Sequence, residues 1–194
     1  MSADAGNKHA GAPVSARLGI WAFLATELLL FGGLFTAYTV FRISYPDLFH
    51  LQHLKLNRIL GASNTVILLT SSLSMALAIA AIRQGQRKLM EIGVATTLFC
   101  GACFLGIKYL EWSEDFARGL FPRSNLFFGL YFVMTGLHGL HVILGMAVMV
   151  WLLIKGRQGV FSGDYNTPVE ITGLYWHFVD IIWIYLFPLF YLVG

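Results

Sequence analysis

Hydrophobic and polar residues fall into long separate blocks along this chain. Extended apolar stretches are divided by short connections, and these connections hold nearly all the charged side chains. A membrane helix needs about 20 mostly apolar residues to cross the ~30 Å hydrocarbon core of a bilayer. The pattern therefore predicts an all-α membrane protein in which one bundle of five transmembrane helices occupies residues 18–194, after a polar N-terminal tail of residues 1–17. The predicted spans are 18–41, 60–82, 92–110, 127–154 and 172–193.

Composition supports this fold and excludes others. Charged residues make up 12% of the chain, against about 25% in soluble domains, which is too few to cover a soluble surface. The net charge of +3 comes from Lys and Arg in the connections, where membrane topology places them, so we expect no nucleic-acid partner. The period-two alternation of a transmembrane barrel is absent, and the apolar runs have the length of helices.

The distribution of positive charge predicts the orientation. Lys and Arg are enriched in the cytoplasmic connections of membrane proteins. The densest cluster, Arg83, Arg87 and Lys88, lies in the second connection, on the same side of the membrane as the N-terminus. We therefore expect a cytoplasmic N-terminus and a C-terminus outside.

One carboxylate, Glu27, lies about nine residues into the first span, or ~14 Å deep. An ionised carboxylate at that depth costs on the order of 3 kcal/mol, so the protonated form is favoured. Two interpretations remain open for Glu27. It is either a neutral acid hydrogen-bonded to a neighbouring helix, or a proton-handling or regulatory site.

Four further polar residues lie within the last two spans. His138 and His141 are three residues apart, as are His177 and Asp180, so each pair shares one helix face. A structural polar lock between these two helices is the first interpretation. Ligation of haem, zinc or iron by the histidines is the second. A small transporter with Glu27 as its coupling carboxylate is a third, although the chain has no internal repeat.

Two weaker patterns carry structural predictions. The run Lys108, Tyr109, Glu111 and Trp112 ends the third span with snorkelling charge and aromatic rings, which is typical of anchoring at the membrane interface. Small residues let membrane helices approach closely, so the glycines within spans are expected to mark packing faces. They are Gly32, Gly33, Gly101, Gly106, Gly136, Gly139 and Gly145.

Five motifs, in this order and spacing, resemble subunit III of the haem-copper respiratory oxidases. They are FLATEL at 23–28, NTVILL at 64–69, KYLEW at 108–112, TGLHGLHV at 135–142 and YWHFVDIIW at 175–183. The last two are long and specific. Longer members of this family have seven helices, and the chain looks like the five-helix bacterial form, which implies the bacterial inner (plasma) membrane.

The resemblance implies a non-catalytic accessory subunit of a proton-pumping terminal oxidase, an enzyme only as part of that complex. It implies no haem, copper or other metal in this chain. Haem and copper are expected in the partner subunits, with subunit I in direct contact and subunit II and others in the same complex. The subunit is expected to stabilise subunit I and to sustain proton uptake during oxygen reduction to water.

The resemblance also implies roles for individual residues. Glu27 matches the carbodiimide-reactive carboxylate of the family, while His138, His141, His177 and Asp180 match positions with structural and proton-facing roles. Lys155 stands where longer relatives carry an Arg that contacts lipid phosphate, so bound phospholipid and weaker, less selective lipid contact are expected.

The electron donor is predicted less directly, because donor choice is made in other subunits. Glu27 and the Tyr175-Trp176-His177 run favour an aa3-type cytochrome c oxidase. The alternatives within the family are a quinol oxidase subunit and a nitric-oxide-reductase accessory protein. An independent membrane cytochrome and a small transporter are more distant alternatives.

Overall fold

The predicted all-α membrane fold is confirmed. In a computed structural model, which describes residues 14–163 and 165–193, every described element is helical and five helices are long and apolar enough to cross a bilayer. The helices are α1 (Val14–Ser44), α2 (Pro46–His53), α3 (Arg58–Arg83), α4 (Arg87–Ala117), α5 (Leu126–Arg157) and α6 (Thr167–Phe187), and a π-helical turn (Pro188–Leu192) follows α6. Most of the predicted tail, residues 1–13, lies outside the described residues, and residues 14–17 belong to α1.

The helices extend beyond the predicted apolar spans, because capping residues and not hydropathy determine where they begin and end. Asn57 Oδ1 accepts hydrogen bonds from the first backbone N–H groups of α3, and Asn125 Oδ1 does the same for α5. Three helices stop where a glycine adopts a left-handed conformation that other residues avoid. These glycines are Gly85, Gly119 and Gly159, with φ of 74°, 76° and 79°.

The short helix α2 lies in the first connection, where the hydrophobic pattern predicts no helix. It begins at Pro46, since the fixed φ of proline suits the first helical turn. The buried Phe49 ring packs edge-on against Tyr38 and Phe127, with ring centroids 5.2 Å and 5.5 Å apart. One aromatic side chain thus holds α2 against both α1 and α5.

The last helix, α6, forms the centre of the bundle and α1 its periphery. In α6, 44% of the apolar window is buried within the protein, whereas in α1 only 11% is buried. Trp176 of α6 is fully buried, between Gly101 of α4 and Gly145 of α5. A Cβ atom added to either glycine would lie 3.1 Å or 2.9 Å from the Trp176 ring.

The glycine prediction is confirmed for three of the seven positions. Gly101, Gly136 and Gly145 each face a tryptophan ring of another helix at close range. The remaining four have no atom of another described helix within 4 Å of a built Cβ atom, so they are not packing positions among residues 14–163 and 165–193; they are Gly32, Gly33, Gly106 and Gly139. Among the seven, close approach therefore involves two tryptophans, Trp112 and Trp176, while Gly93 and Gly173 approach Ala78 and Ile79 even more closely.

Two glycines of α5 provide a matched test of this packing. We expect Gly145→Ala to destabilise the protein by about 1–3 kcal/mol, because the Trp176 ring has no room to retreat. Gly139→Ala adds the same methyl group to open space and gains up to about 1 kcal/mol from helix propensity. Thermal unfolding of the two variants in the same detergent measures the difference, and equal midpoints would show that Trp176 can shift.

Candidate functional site: a carboxylate–imidazole pair within the membrane

The first predicted site residue, Glu27, is hydrogen-bonded to a neighbouring helix. Its Oε2 atom on α1 lies 2.8 Å from Nε2 of His141 on α5. The side chains are 15% and 8% exposed, respectively. A polar group in hydrocarbon is costly unless it is paired, and each of these two groups supplies the partner that the other needs.

The second ring nitrogen of His141 fixes how many protons the pair holds. His141 Nδ1 lies 2.8 Å from the Leu137 carbonyl oxygen. A carbonyl oxygen only accepts, so Nδ1 carries a hydrogen and donates it. One proton then lies between Oε2 and Nε2, giving either a carboxylic acid donating to a neutral imidazole or an imidazolium donating to a carboxylate. The pair is electrically neutral in both states and can move that proton over a fraction of an ångström.

Aromatic rings surround the pair on two further sides. The Phe31 ring, one turn after Glu27, meets His141 edge-on with centroids 5.3 Å apart. The Tyr175 hydroxyl of α6 donates to the His141 backbone oxygen at 3.0 Å. Tyr175 and Phe23 also line an apolar groove of about 270 Å³ at the bundle surface. The pair therefore joins α1 to the bundle at a position close to the lipid.

The other three residues of the predicted lock have different surroundings. His177 Nδ1 lies 2.7 Å from the Ser72 hydroxyl of α3. Asp180 is 2% exposed, and its carboxylate has no hydrogen-bond partner among the described residues. His138 is likewise buried without a described partner, between the rings of Phe104 and Trp183. The four residues thus face several helices and do not form one cluster.

The histidines do not converge as metal or haem ligands would. Within residues 14–163 and 165–193, no group of three or more His, Cys, Asp or Glu side chains is arranged to hold a metal ion. His141 is engaged by Glu27 and Leu137, and His177 by Ser72. The contacts of these two histidines are hydrogen bonds to a carboxylate, a backbone carbonyl and a hydroxyl group.

The interfacial role predicted for Lys108 and Glu111 is wrong. These residues are 5% and 1% exposed and lie inside the bundle, where Lys108 Nζ donates to Glu111 Oε2 at 2.9 Å. Two tyrosine hydroxyls complete the group, which we call the lysine network: Lys108, Glu111, Tyr131 and Tyr191. Tyr109, by contrast, is 74% exposed, as expected of an anchor.

The lysine network satisfies both of its charges. Besides Glu111, Lys108 donates to Tyr131 at 3.1 Å and to Tyr191 at 2.7 Å, and both hydroxyls donate to Glu111 Oε1. The ammonium also lies 5.1 Å from the centre of the Trp183 ring. A sequence signal for this burial exists, since Phe104, Lys108, Glu111 and Asp115 recur at the spacing of one helix face. Because these residues lie near the end of the predicted span, the charged side chains are readily interpreted as interfacial.

Lys155 lies at the far end of α5 and takes no part in the membrane pair. Its Nζ atom donates to Gln158 Oε1 at 3.2 Å, in the last turn of the helix. That contact is a weak surface hydrogen bond, which a competing anion replaces at small cost.

Comparison with known proteins identifies a family over nearly the whole chain. Residues 3–194 match the family described as cytochrome c oxidase subunit III. The chain is 37% identical to a cytochrome c oxidase subunit 3 of Synechocystis, over 95% of this chain and 78% of that protein. It is 35% identical to a probable quinol oxidase subunit 3 of Staphylococcus epidermidis, over 92% and 89%.

A third relative is a fused protein. A haem-copper oxidase subunit I+III of Aeropyrum pernix is 34% identical over 91% of this chain, which spans 22% of that longer protein.

Proposed function

The chain belongs to the cytochrome c oxidase subunit III family, and on this basis we propose that it is a non-catalytic accessory subunit of a proton-pumping terminal oxidase. The observation that carries the proposal is the match over residues 3–194, which includes Glu27, His141 and the last-span motif. As a subunit III of haem-copper oxidases, the chain is part of an oxidoreductase complex. In that complex it supports oxygen reduction to water, which takes place in its partners.

The proposed direct partner is subunit I. Haem and copper are proposed to lie in the partner subunits, which include subunit II. The fused relative from Aeropyrum supports this assignment, because its name joins subunits I and III in one polypeptide. Only 11% of the apolar window of α1 is buried within the protein. The exposed apolar face of this helix therefore provides room for such a neighbour or for lipid. The role proposed for the chain is to stabilise subunit I and to sustain its proton uptake.

Glu27 and His141 are the proposed proton-handling residues. Their support is the 2.8 Å contact and the single proton that it holds inside the membrane. His138, His177 and Asp180 are proposed as structural polar residues of the same bundle, with the Ser72–His177 contact tying α3 to α6. None of these groups is proposed as a metal ligand.

The proposed setting is the bacterial plasma membrane, with the N-terminus in the cytoplasm. The cluster Arg83, Arg87 and Lys88 between α3 and α4 supports this orientation. It places Lys155 on the same cytoplasmic side, where its ammonium is proposed to contact lipid phosphate as a point charge. Attaching a reporter enzyme to the α3–α4 connection tests the orientation. Reporter activity on the outer side of the membrane would show that the N-terminus is outside and not in the cytoplasm.

Purification of the tagged chain in a mild detergent tests the main proposal. We expect a large subunit containing haem and copper to co-purify while this chain, once separated, is colourless. A chain that purifies alone and carries haem would instead make the histidines ligands of an independent cytochrome. A chain that purifies alone and colourless would favour the transporter alternative.

The proposed electron donor is cytochrome c, in an aa3-type oxidase. Its support is Glu27 together with the Tyr175-Trp176-His177 run. The cytochrome c oxidase and quinol oxidase relatives match the chain at similar identities of 37% and 35%. Oxygen consumption by the purified complex with reduced cytochrome c and with a quinol decides between the two. Turnover with quinol alone would replace the proposed donor.

A further inference from the structure

A charged cavity lies at the corner between α1 and α2. It has a volume of about 540 Å³ and is lined by Thr39, Arg42, Ile43, Pro46, Asp47 and His50. Cavities that hold small ligands fall in the range of roughly 300–1,000 Å³. The first three residues belong to the last turns of α1 and the others to one side of α2, so two helices at an angle form its walls.

The cavity lies at the depth of lipid headgroups. Arg42 is in the last turn of the span that ends at Ser44. Next to it on α1, the apolar side chains of Val40 and Ile43 are 55% and 75% exposed. Headgroups occupy the outer layer on each side of the ~30 Å hydrocarbon core, so a lipid beside α1 would place its phosphate at this corner.

The charges lining the cavity have opposite signs and are not paired with each other. Among the described residues, neither Arg42 nor Asp47 takes part in a salt bridge. His50 adds at least one ring N–H donor in either tautomer. The wall has a guanidinium from α1 and a carboxylate and an imidazole from α2. Because it has groups of both signs, it is complementary to a zwitterion and not to a simple anion.

We propose that this corner binds the headgroup of phosphatidylethanolamine, with Arg42 and His50 on the phosphate and Asp47 on the ammonium. Guanidinium groups bind phosphate through two parallel hydrogen bonds. The ammonium of ethanolamine has N–H donors for the Asp47 carboxylate, whereas the quaternary nitrogen of choline has none. An anionic headgroup such as phosphatidylglycerol meets the Asp47 carboxylate without a positive partner for it.

The site is separate from the phosphate contact proposed for Lys155. The ring of Phe127, at the start of α5, packs against Phe49 of α2. Lys155 lies 28 positions further along α5, or about 42 Å away at the α-helical rise. The two lipid contacts are therefore at opposite faces of the membrane. The headgroup site is also independent of the oxidase role, because it depends only on the chain spanning a bilayer.

The test uses the intact complex in nanodiscs of phosphatidylcholine that contain equal small amounts of phosphatidylethanolamine and phosphatidylglycerol. After extraction in mild detergent, native mass spectrometry counts the lipids retained by the wild type and by each variant. We expect Arg42→Gln to raise the amount of phosphatidylethanolamine needed for retention about tenfold, as for loss of a charged hydrogen bond. Arg123→Gln, which removes an exposed cation from the α4–α5 connection at the same end of the bundle, is the matched control and should retain as much lipid as the wild type.

A second variant tests the assignment of the ammonium. We expect Asp47→Asn to keep a lipid at the corner but to lose the preference for phosphatidylethanolamine over phosphatidylcholine. Equal retention by the Arg42 and Arg123 variants would overturn the site, and so would a preference of the wild type for phosphatidylglycerol. Displacement of the lipid by soluble phosphoethanolamine at equal concentration would show that the corner takes a soluble ligand, and would also overturn the proposal.

Discussion

Replacing Glu111 with leucine is expected to lower the free energy of unfolding by about 3–5 kcal/mol, because it removes the carboxylate to which the buried Lys108 ammonium is hydrogen-bonded. The two side chains are 1% and 6% exposed, and their atoms lie 2.9 Å apart. The two tyrosine hydroxyls that donate to Glu111 lose their acceptor as well. Titration of the purified protein with sodium dodecyl sulfate, followed by tryptophan fluorescence, measures the change.

Two controls separate the buried charge from a general effect of the substitution. Glu114→Leu removes the same kind of side chain three residues later in α4, where the pair with Arg118 is exposed and 3.6 Å long. That variant should change stability by less than about 1 kcal/mol. The double variant Lys108→Met/Glu111→Leu removes both charges and should recover most of the lost stability. A double variant as unstable as Glu111→Leu alone would show that the tyrosine hydrogen bonds, and not the unpaired charge, stabilise this end of the bundle.

Glu27→Gln is expected to abolish carbodiimide labelling at position 27 while the complex still assembles. Carbodiimides react with protonated carboxyl groups in apolar surroundings, and the hydrogen bond to His141 Nε2 holds a proton beside the carboxylate oxygen. Glutamine keeps the size of the side chain and one N–H donor for Nε2, so the contact between α1 and α5 persists. Mass spectrometry of labelled peptides, together with the haem content of the purified complex, measures both results.

The controls for Glu27 use a second acid and the imidazole partner. Asp180→Asn removes another buried carboxyl group and should leave the labelling of Glu27 unchanged. His141→Ala removes the imidazole but not the acid, so labelling should continue although α1 is held less firmly. Failure of the Glu27→Gln complex to assemble would make the residue structural and would remove the proton-handling proposal.

The sequence predicts the five spans well because length and hydropathy are enough to decide them. Lipid offers no hydrogen-bond partner to the backbone, so the N–H and C=O groups of a spanning segment have to bond to each other. An apolar stretch of sufficient length is therefore helical. It also predicts that Glu27 needs a partner, since a carboxylate in hydrocarbon is costly. The identity of that partner, His141, depends on which faces of α1 and α5 meet, and those positions are 114 residues apart.

The sequence predicts helix faces poorly for a related physical reason. In a soluble helix, polar residues mark the outer face, but in a membrane helix the outer face contacts lipid and is apolar as well. The sequence therefore gives the distance of Lys108 along its span but not the face on which it lies, so it does not predict the burial of this side chain. It does not predict α2 either, because eight residues with a single buried aromatic anchor, Phe49, give no periodic signal.

The weak burial of α1 has a consequence for the order of synthesis. This helix leaves the ribosome before the other described helices, yet its polar contacts with other helices in the described part of the chain are with α5 and the turn after α6. They are the bonds from Glu27 to His141 and from Tyr38 to the Leu189 carbonyl. At about 5–20 residues per second, the 114 residues between Glu27 and His141 take on the order of ten seconds to translate. During that interval α1 waits in the bilayer with its carboxyl group unpaired, and it joins the bundle only after the later helices have been inserted.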